Sequence, residues 1–274
     1  MRDLKDINRM RVVYQLPHME QVPVRKDIVY KTVDGQDLGM DVYYPPAIQS
    51  HTPRPAVLLV HGGSQPEHVE HVKESAPYVS WAQLLAAAGF SAVVFKHRTD
   101  EGFTRLNEAS SDVDDLVHYV RKNGASLHID VDRLCIWVFS QGSIHGLHIV
   151  LRDTPAYIRC IVAYYAGMSL MNPRSFHFPV EEEDLAKEFS PAYQLRHADA
   201  SKVAPMFIAR AGKDRVFLNE ALDEFCSIAS ERNIPLTFMN HPTGEHGFDI
   251  FNDDARTREI IKATLAFLGE HLEQ

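Results

Sequence analysis

The sequence predicts an α/β fold, a mostly parallel central sheet with helices on both faces. After an opening hairpin pattern, short apolar runs typical of buried strands alternate with helical patterns about six times, the ordering that gives such a sheet. The composition, 45% hydrophobic and 24% charged, is ordinary for a chain that buries a full core. The length of 274 residues fits one large domain, which we expect to cover residues 1–274.

The strands are predicted from short apolar runs and the helices from apolar residues that recur on one face. Asp34-Gly35 lies between the first two strands and is a strong hairpin signal. The predicted strands are 27–33, 38–44, 56–60, 90–95, 133–139, 157–165, 206–211 and 235–241. The predicted helices are 78–88, 110–123, 142–151, 219–232 and 253–271.

Two segments carry more specific expectations. The second helix is expected to start at Ser110 or Ser111, with Asp112 in its first turn, and to stop at Asn123-Gly124. From about 167 to 201 the pattern breaks into polar and proline-containing pieces, which indicates a small cap inserted over the sheet.

Charge and composition exclude several classes of function. The formal net charge of −9 argues against nucleic acid and anionic membranes as partners, because phosphate binding needs clustered Lys and Arg. The charged start of the chain, residues 1–6, lacks the apolar run of a signal peptide, and no run is long enough to span a bilayer. We therefore expect a cytoplasmic protein.

Polar residues follow several predicted strands at the carboxyl end, where open α/β sheets bind their ligands. Ser140 lies between the strand 133–139 and the helix that begins at Gly142, the arrangement of a nucleophile elbow. Taken alone, Ser140 is equally well interpreted as a helix cap. His61-Gly62-Gly63 follows the strand 56–60, and its paired glycines can expose backbone N–H donors, although an ordinary glycine turn explains them equally well.

Two further loops supply a carboxylate and an imidazole. Asp214 follows the strand 206–211, and His246 follows the strand 235–241. Each has an ordinary interpretation, a turn-forming Asp or an exposed His. Because Ser140, Asp214 and His246 each follow a strand of one sheet, in that chain order, we predict a catalytic triad with His246 as base. His241 is the rival base, but it lies at a strand end, where the sheet fixes the side chain.

The ordered motifs resemble the α/β-hydrolase superfamily, and within it the small esterases that are similar to dienelactone-hydrolase-like and acyl-peptidase-like enzymes. The resemblance covers roughly residues 25 to 272. Its motifs are His61-Gly62-Gly63, Arg98, Asp112-Val113, Ile129-Asp130-Val131-Asp132-Arg133, Ser140-Gln141-Gly142, Ser190-Pro191, Gly212-Lys213-Asp214 and His246-Gly247-Phe248. The family elbow is G-x-S-x-G, whereas this chain has Val138 at the first small position. A β-branched residue there requires a different turn or more room nearby.

The resemblance implies a serine hydrolase that cleaves a small acyl or aryl ester and needs no metal or other cofactor. Gly62, Gly63 and Gln141 are predicted to form the oxyanion hole. Ser64, Gln65 and Met168 are predicted to contact the substrate. The apolar residues of the cap either form an acyl-binding wall or pack as core under the cap, which explains them at least as well: Met168, Leu170, Met171, Phe176, Phe178 and Phe189. Two alternatives stay open: amide, lactone or thioester cleavage by the same triad, and a non-catalytic binding protein on this fold. The pair His68 and His71 lacks the spacing of zinc proteases.

Overall fold

The computed structural model describes residues 4–46, 52–63, 69–98, 105–171 and 183–273. In these ranges the strands are β1 (Val24–Val33), β2 (Gln36–Tyr43), β3 (Arg54–Val60), β4 (Ser91–Phe95), β5 (Ile129–Phe139), β6 (Ile158–Tyr164), β7 (Met206–Ala211) and β8 (Leu236–His241). The helices are α1 (Leu4–Ile7), α2 (Ala76–Ala87), α3 (Leu106–Leu127), α4 (Gly142–Asp153), α5 (Glu183–Glu188), α6 (Pro191–His197), α7 (Val216–Glu231), α8 (Phe248–Phe251) and α9 (Ala255–Leu272).

The strands form one sheet in the order β1-β2-β4-β3-β5-β6-β7-β8. β1 pairs with β2 and β2 with β4 in antiparallel fashion, and all later neighbours pair in parallel. Asp34 and Gly35 both have positive φ, 53° and 75°, as the predicted tight hairpin turn requires. The mostly parallel sheet predicted from the sequence is therefore confirmed.

Helices cover both faces of the sheet and bury two large apolar clusters. On one face α3, α4 and α7 pack against the sheet through residues such as Val113, Leu147 and Phe225. On the other face α2 and α9 contribute Trp81 and Ile260. The central strands β3 and β4 are buried on both faces, which explains why their sequences are continuously apolar.

The helix α3 differs from its prediction at both ends. It starts at Leu106, which is buried, and runs to Leu127, so Ser110 does not cap it and Gly124 does not stop it. Gly124 lies inside the helix. A larger residue would not fit there, because its Cβ atom would collide with the Val131 side chain. The glycine thus reflects close packing of the helix on β5 rather than a helix end.

The longer helix places Asp112 in the interior of the protein instead of in a first turn. Its side chain is fully buried and accepts hydrogen bonds from Nε and Nη2 of Arg98, at 2.8 and 2.9 Å. Lys31 Nζ lies 2.7 Å from the same carboxylate. Burial opposes ionisation, yet the hydrogen bonds from Arg98 and Lys31 keep the pKa of Asp112 below its ordinary value. This ion pair ties α3 to β1 and to the end of β4.

The predicted cap segment contains the short helices α5 and α6 in its described part. α6 packs against α4 and α7, on the flank of the domain. Phe189 and Leu170 are buried in a small cluster with Leu106 and Ile144. Residues 172–182, which include Phe176 and Phe178, lie outside the described residues.

Candidate active site

Ser140 occupies a strained turn between β5 and α4. Its φ is +51°, a left-handed conformation that a residue with a side chain rarely adopts. Its backbone N–H donates to the carbonyl of Tyr164 on the neighbouring strand, at 3.2 Å. A Cβ atom on Gly142 would lie 2.5 Å from the carbonyl oxygen of His61, so only glycine fits where the elbow meets the turn after β3. Strain of this kind persists where the surrounding structure enforces it, which is typical of active sites.

The elbow accommodates Val138 because a neighbouring helix provides room. A Cβ atom on Gly146 of α4 would lie 2.6 Å from Cγ1 of Val138 and 3.1 Å from Cγ2 of Val60. The small residue that the family motif has before the serine is absent here, and Gly146 supplies the missing space from the facing helix. The hydroxyl of Ser143, one turn earlier on α4, holds the elbow because it lies within hydrogen-bonding distance of the carbonyls of Ser140 and Gly167, with one proton to share between them.

The structure brings Ser140, His246 and Asp214 together. His246 Nε2 lies 2.9 Å from Ser140 Oγ, and His246 Nδ1 lies 2.6 Å from Asp214 Oδ2. This pattern assigns the proton to Nδ1, which donates to the carboxylate, and leaves Nε2 to accept from the serine hydroxyl. The Asp214 side chain is 2% exposed and that of His246 is 32% exposed, so the imidazole lies between a buried carboxylate and an accessible hydroxyl.

The loops after β7 and β8 support this arrangement through main-chain contacts. Asp214 Oδ1 accepts a hydrogen bond from the backbone N–H of Arg215 at 2.8 Å. The N–H of Lys213 donates to the carbonyl of Gly244 at 2.9 Å and so joins the two loops. The ring of Tyr165 lies 4.7 Å from that of His246, centroid to centroid, and packs against it. These contacts hold the Asp214 carboxylate, the two loops and the His246 ring in place without a ligand.

The rival base, His241, takes no part in this arrangement. It is 1% exposed, and its Nε2 lies 3.0 Å from Thr257 Oγ1 and 3.2 Å from Asp254 Oδ1. These partners fix it at the end of β8, as expected for a strand-end side chain.

The predicted oxyanion-hole residues lie beside Ser140, at the elbow and in the turn after β3. The N–H of Gly62 donates to the Tyr78 hydroxyl at 3.0 Å, so it is already engaged. Gly62 also has no room for a Cβ atom, which would lie 2.8 Å from Cβ of Ser140. Gly63 has φ +93° and, like Gln141, lines the cavity next to the serine. Gly62 therefore allows the turn to approach the serine closely, and the oxyanion hole of Gln141 and the Gly62–Gly63 turn stays a prediction.

None of the three predicted substrate contacts is found in the cavity wall among the described residues. Ser64 and Gln65 lie outside the described residues. Met168 is fully buried in the core, where its carbonyl accepts from the N–H of Ala192 in α6, and it does not line the cavity at Ser140. Leu170, Met171 and Phe189 do not line it either. Of the two interpretations of the cap residues, the structure favours packing as core, since the side chains of Leu170 and Phe189 are buried in the flank of the domain.

A cavity of about 330 Å³ opens at Ser140, and several aromatic side chains contribute to its wall. It is lined by Ile7, Gly62, Gly63, Pro77, Tyr78, Trp81, Phe139, Ser140, Gln141, Tyr165, Arg215, His246, Gly247, Asp249, Ile250 and Phe251. These residues belong to α1, α2, α8 and the loops that follow the strands, so segments far apart in the chain together enclose the site. A volume of this size suits a small organic substrate.

Sequence reasoning missed most of this wall. Tyr78 and Trp81 were interpreted as ordinary helix residues, although both lie on the α2 face that meets the cavity. Asp249 was not singled out, and it is 2% exposed in the cavity wall. The one available signal was its position, three residues after His246, since the loop that carries the base necessarily borders the site.

The comparisons with known proteins agree with this architecture. The family model named BD-FAE matches residues 40–150, a range that includes the His61-Gly62-Gly63 turn and Ser140. A thermophilic esterase from Thermogutta terrifontis, Est2 with bound propionate, superposes with a TM-score of 0.71 at 19% identity and covers 93% of this chain and 96% of that one. The chain has the α/β-hydrolase fold.

Other similar proteins add context. A truncated carbohydrate esterase from gut microbiota superposes on this chain with a TM-score of 0.72 at 17% identity, over 92% of this chain and 97% of that one. The non-reducing polyketide synthase pkbA of Emericella nidulans is 32% identical over 104 residues, 37% of this chain. The chain spans only 4% of the length of that synthase. Within the described ranges, none of the helices combines the length and apolarity needed to cross a bilayer.

Proposed function

We propose that the chain is a serine hydrolase that cleaves carboxylic esters of small acyl or aryl substrates. The observation that carries the proposal is the continuous contact from Asp214 through His246 to Ser140 at the opening of the cavity. The solved structures of similar fold are described as esterases, which favours esters among the possible acyl substrates.

The reaction follows from which atoms donate and accept. Ser140 Oγ attacks the ester carbonyl carbon while its proton passes to His246 Nε2. Asp214 stabilises the resulting imidazolium through Nδ1. The tetrahedral intermediate then collapses, and His246 returns the proton to the leaving alcohol. Water, deprotonated by the same imidazole, attacks the acyl-enzyme and releases the acid.

Charge develops on the carbonyl oxygen of the substrate during both steps. We assign its stabilisation to the backbone N–H groups of Gly63 and Gln141, which border the cavity next to Ser140. A single donor of this kind is typically worth about 10²–10³ in kcat. The left-handed φ of Ser140 raises its hydroxyl above the sheet at the start of α4, whose N-terminal dipole also favours negative charge.

The test is hydrolysis of p-nitrophenyl acetate and butyrate by the wild type and two serine variants. Ser140→Ala should lower kcat by at least about 10⁴-fold, because the nucleophile is lost. Ser230→Ala is the matched control and should keep wild-type turnover, since its exposed hydroxyl bonds only to the Cys226 carbonyl on α7. Near wild-type turnover by Ser140→Ala would exclude the proposal.

The same enzyme preparation separates the alternatives. Turnover of aminoacyl amides or thioesters above that of esters would assign a different acyl substrate to the same triad. A chain that hydrolyses none of these substrates would be a binding protein on the hydrolase fold.

A further inference from the structure

A residue that precedes the whole sheet in the chain contributes to the wall of the cavity. Ile7, the last residue of α1, lines the cavity together with Tyr78 and Trp81 of α2 and Ile250 of α8. It is half-buried. Within the described ranges it belongs to none of the apolar clusters of the core, and it is not among the partly buried residues that pack against them. Ile7 therefore contributes to the cavity wall and not to the core.

Hydrogen bonds hold the chain just after α1 against the two helices of the same wall. The carbonyl of Asn8 accepts from the N–H of the first residue of α2, at 2.9 Å. The N–H of Val12 donates to the Ser80 hydroxyl on α2 at 2.9 Å, and Val12 itself is fully buried. The N–H of Val13 donates to the carbonyl of Asp249 on α8, also at 2.9 Å. These contacts fix the backbone beside α1, so the fold itself places the last residue of α1 at the cavity.

From this geometry we infer that Ile7 is a specificity-determining residue that limits the length of the apolar chain of the ester substrate. A chain that extends along Tyr78, Trp81 and Ile250 exchanges water for contact with apolar carbon until it meets Ile7. Isoleucine is branched at Cβ and stiff at χ1, so it forms a firm end to this path, and a longer chain would overfill the cavity. The inference rests on the proposed esterase function and adds to it a limit on chain length.

The experiment compares a long and a short ester on the same enzyme, on each side of the ester bond. p-Nitrophenyl octanoate and butyrate differ in the acyl chain, and octyl acetate and butyl acetate differ in the alcohol chain. Initial rates are followed by titration of the released acid. The quantity measured is the ratio of kcat/KM for the long ester to that for its short partner. This ratio does not depend on the fraction of correctly folded enzyme, because both esters meet the same preparation.

Two substitutions at Ile7 should move this ratio in opposite directions for the same pair of esters. Ile7→Ala removes the branched side chain and should raise the ratio by about tenfold, the lower end of what one methylene is worth in an apolar pocket. Ile7→Trp fills more of the cavity and should lower the ratio by about tenfold or more. Leu16→Ala is the matched control and should keep the wild-type ratio. Leu16 also precedes β1 and is partly buried, but it packs against the core and does not line the cavity.

The outcomes separate this inference from the proposed function. Wild-type ratios for both pairs of esters in the Ile7 variants overturn the role of Ile7 and leave the esterase intact. A shift in the same direction in both variants overturns it as well, and so does a Leu16→Ala protein that changes the ratio as much as Ile7→Ala. A wild type inactive on all four esters and on p-nitrophenyl acetate overturns the proposed function itself. If one Ile7 variant does not fold, the direction of the shift in the other still decides the question.

Discussion

Replacing Gly146 by alanine tests whether this glycine makes room for the valine at the elbow. Gly146 lies in the interior of α4, where alanine is normally the better helix former by about 1 kcal/mol. The added Cβ atom would lie 2.6 Å from Cγ1 of Val138 and 3.1 Å from Cγ2 of Val60. Both neighbours are fully buried, so neither can turn away into solvent. Helix propensity therefore predicts that Gly146→Ala raises the free energy of unfolding, and packing predicts that it lowers it.

The packing effect should win. Overfilling a packed core typically costs about 1–3 kcal/mol, which exceeds the gain in helix propensity. Gly146→Ala should thus lower the free energy of unfolding by about 1 to 2 kcal/mol. Gly269→Ala is the matched control, because Gly269 also lies in a helix, α9, and an added Cβ atom there meets nothing within 4 Å. That variant should be more stable than the wild type by up to about 1 kcal/mol.

A double variant identifies Val138 as the cause. Val138→Ala removes the atom that the new Cβ would strike, so Gly146→Ala should cost much less in that background. We expect a coupling free energy of about 1–2 kcal/mol between the two sites. Unfolding in urea can be followed by the fluorescence of Trp137, the residue next to Val138, and of Trp81. Additive effects, or a Gly146→Ala protein as stable as Gly269→Ala, would refute the reasoning.

Three further predictions address the triad, the ion pair and the buried histidines. Asp214→Asn should lower kcat by about 10³–10⁴-fold with a near wild-type unfolding midpoint, because His246 loses the carboxylate that fixes its tautomer and stabilises the imidazolium; a loss below about tenfold would contradict this. Asp112→Asn should lower the free energy of unfolding in guanidinium by about 3 kcal/mol, since Arg98 is left without its counter-charge; a loss below about 1 kcal/mol would argue against a structural role for the pair. Burial lowers the pKa of His145 far below its ordinary value, so the unfolded chain binds its proton first and stability falls as the pH drops below about 6.5. His145→Leu removes two ring nitrogens that have no partner among the described residues, and it should reduce the slope of melting temperature against pH between pH 7 and 5; an unchanged slope would contradict the assignment.

The sheet was predictable because the local sequence of each strand indicates it. Runs such as Ala56–Val60 are apolar throughout, and only a strand buried on both faces suits them. The approach of Ser140, Asp214 and His246 was predictable for a related reason. Parallel strands end at one edge of the sheet, so polar residues directly after β5, β7 and β8 necessarily share that edge.

The features that depend on packing between distant segments could not be predicted in the same way. Gly124 has the appearance of a helix end, yet it marks the contact of α3 with Val131 on β5. Asp112 has the sequence context of an acidic residue in the first turn of a helix, yet it is buried and paired with Arg98 and Lys31. In each case a tertiary contact outweighs a local preference.

The walls of the site were hardest to predict for the same reason. Met168 follows β6, the strand between the two that precede Ser140 and Asp214, but its side chain is buried in the core beside α6. Tyr78, Trp81 and Asp249 come from helices far apart in the chain, and only the tertiary fold brings them to one cavity. The position of a residue directly after a strand predicts at which edge of the sheet it lies. It does not predict which side chains of a helix face the cavity.

The most direct test of the central claim is labelling with a fluorophosphonate probe followed by peptide mass mapping. A hydroxyl activated by His246 should react, so the wild type should gain one adduct, located on Ser140. Ser140→Ala should stay unlabelled. A wild type that remains unlabelled, or an adduct that persists in Ser140→Ala, would contradict the assignment of Ser140 as the nucleophile.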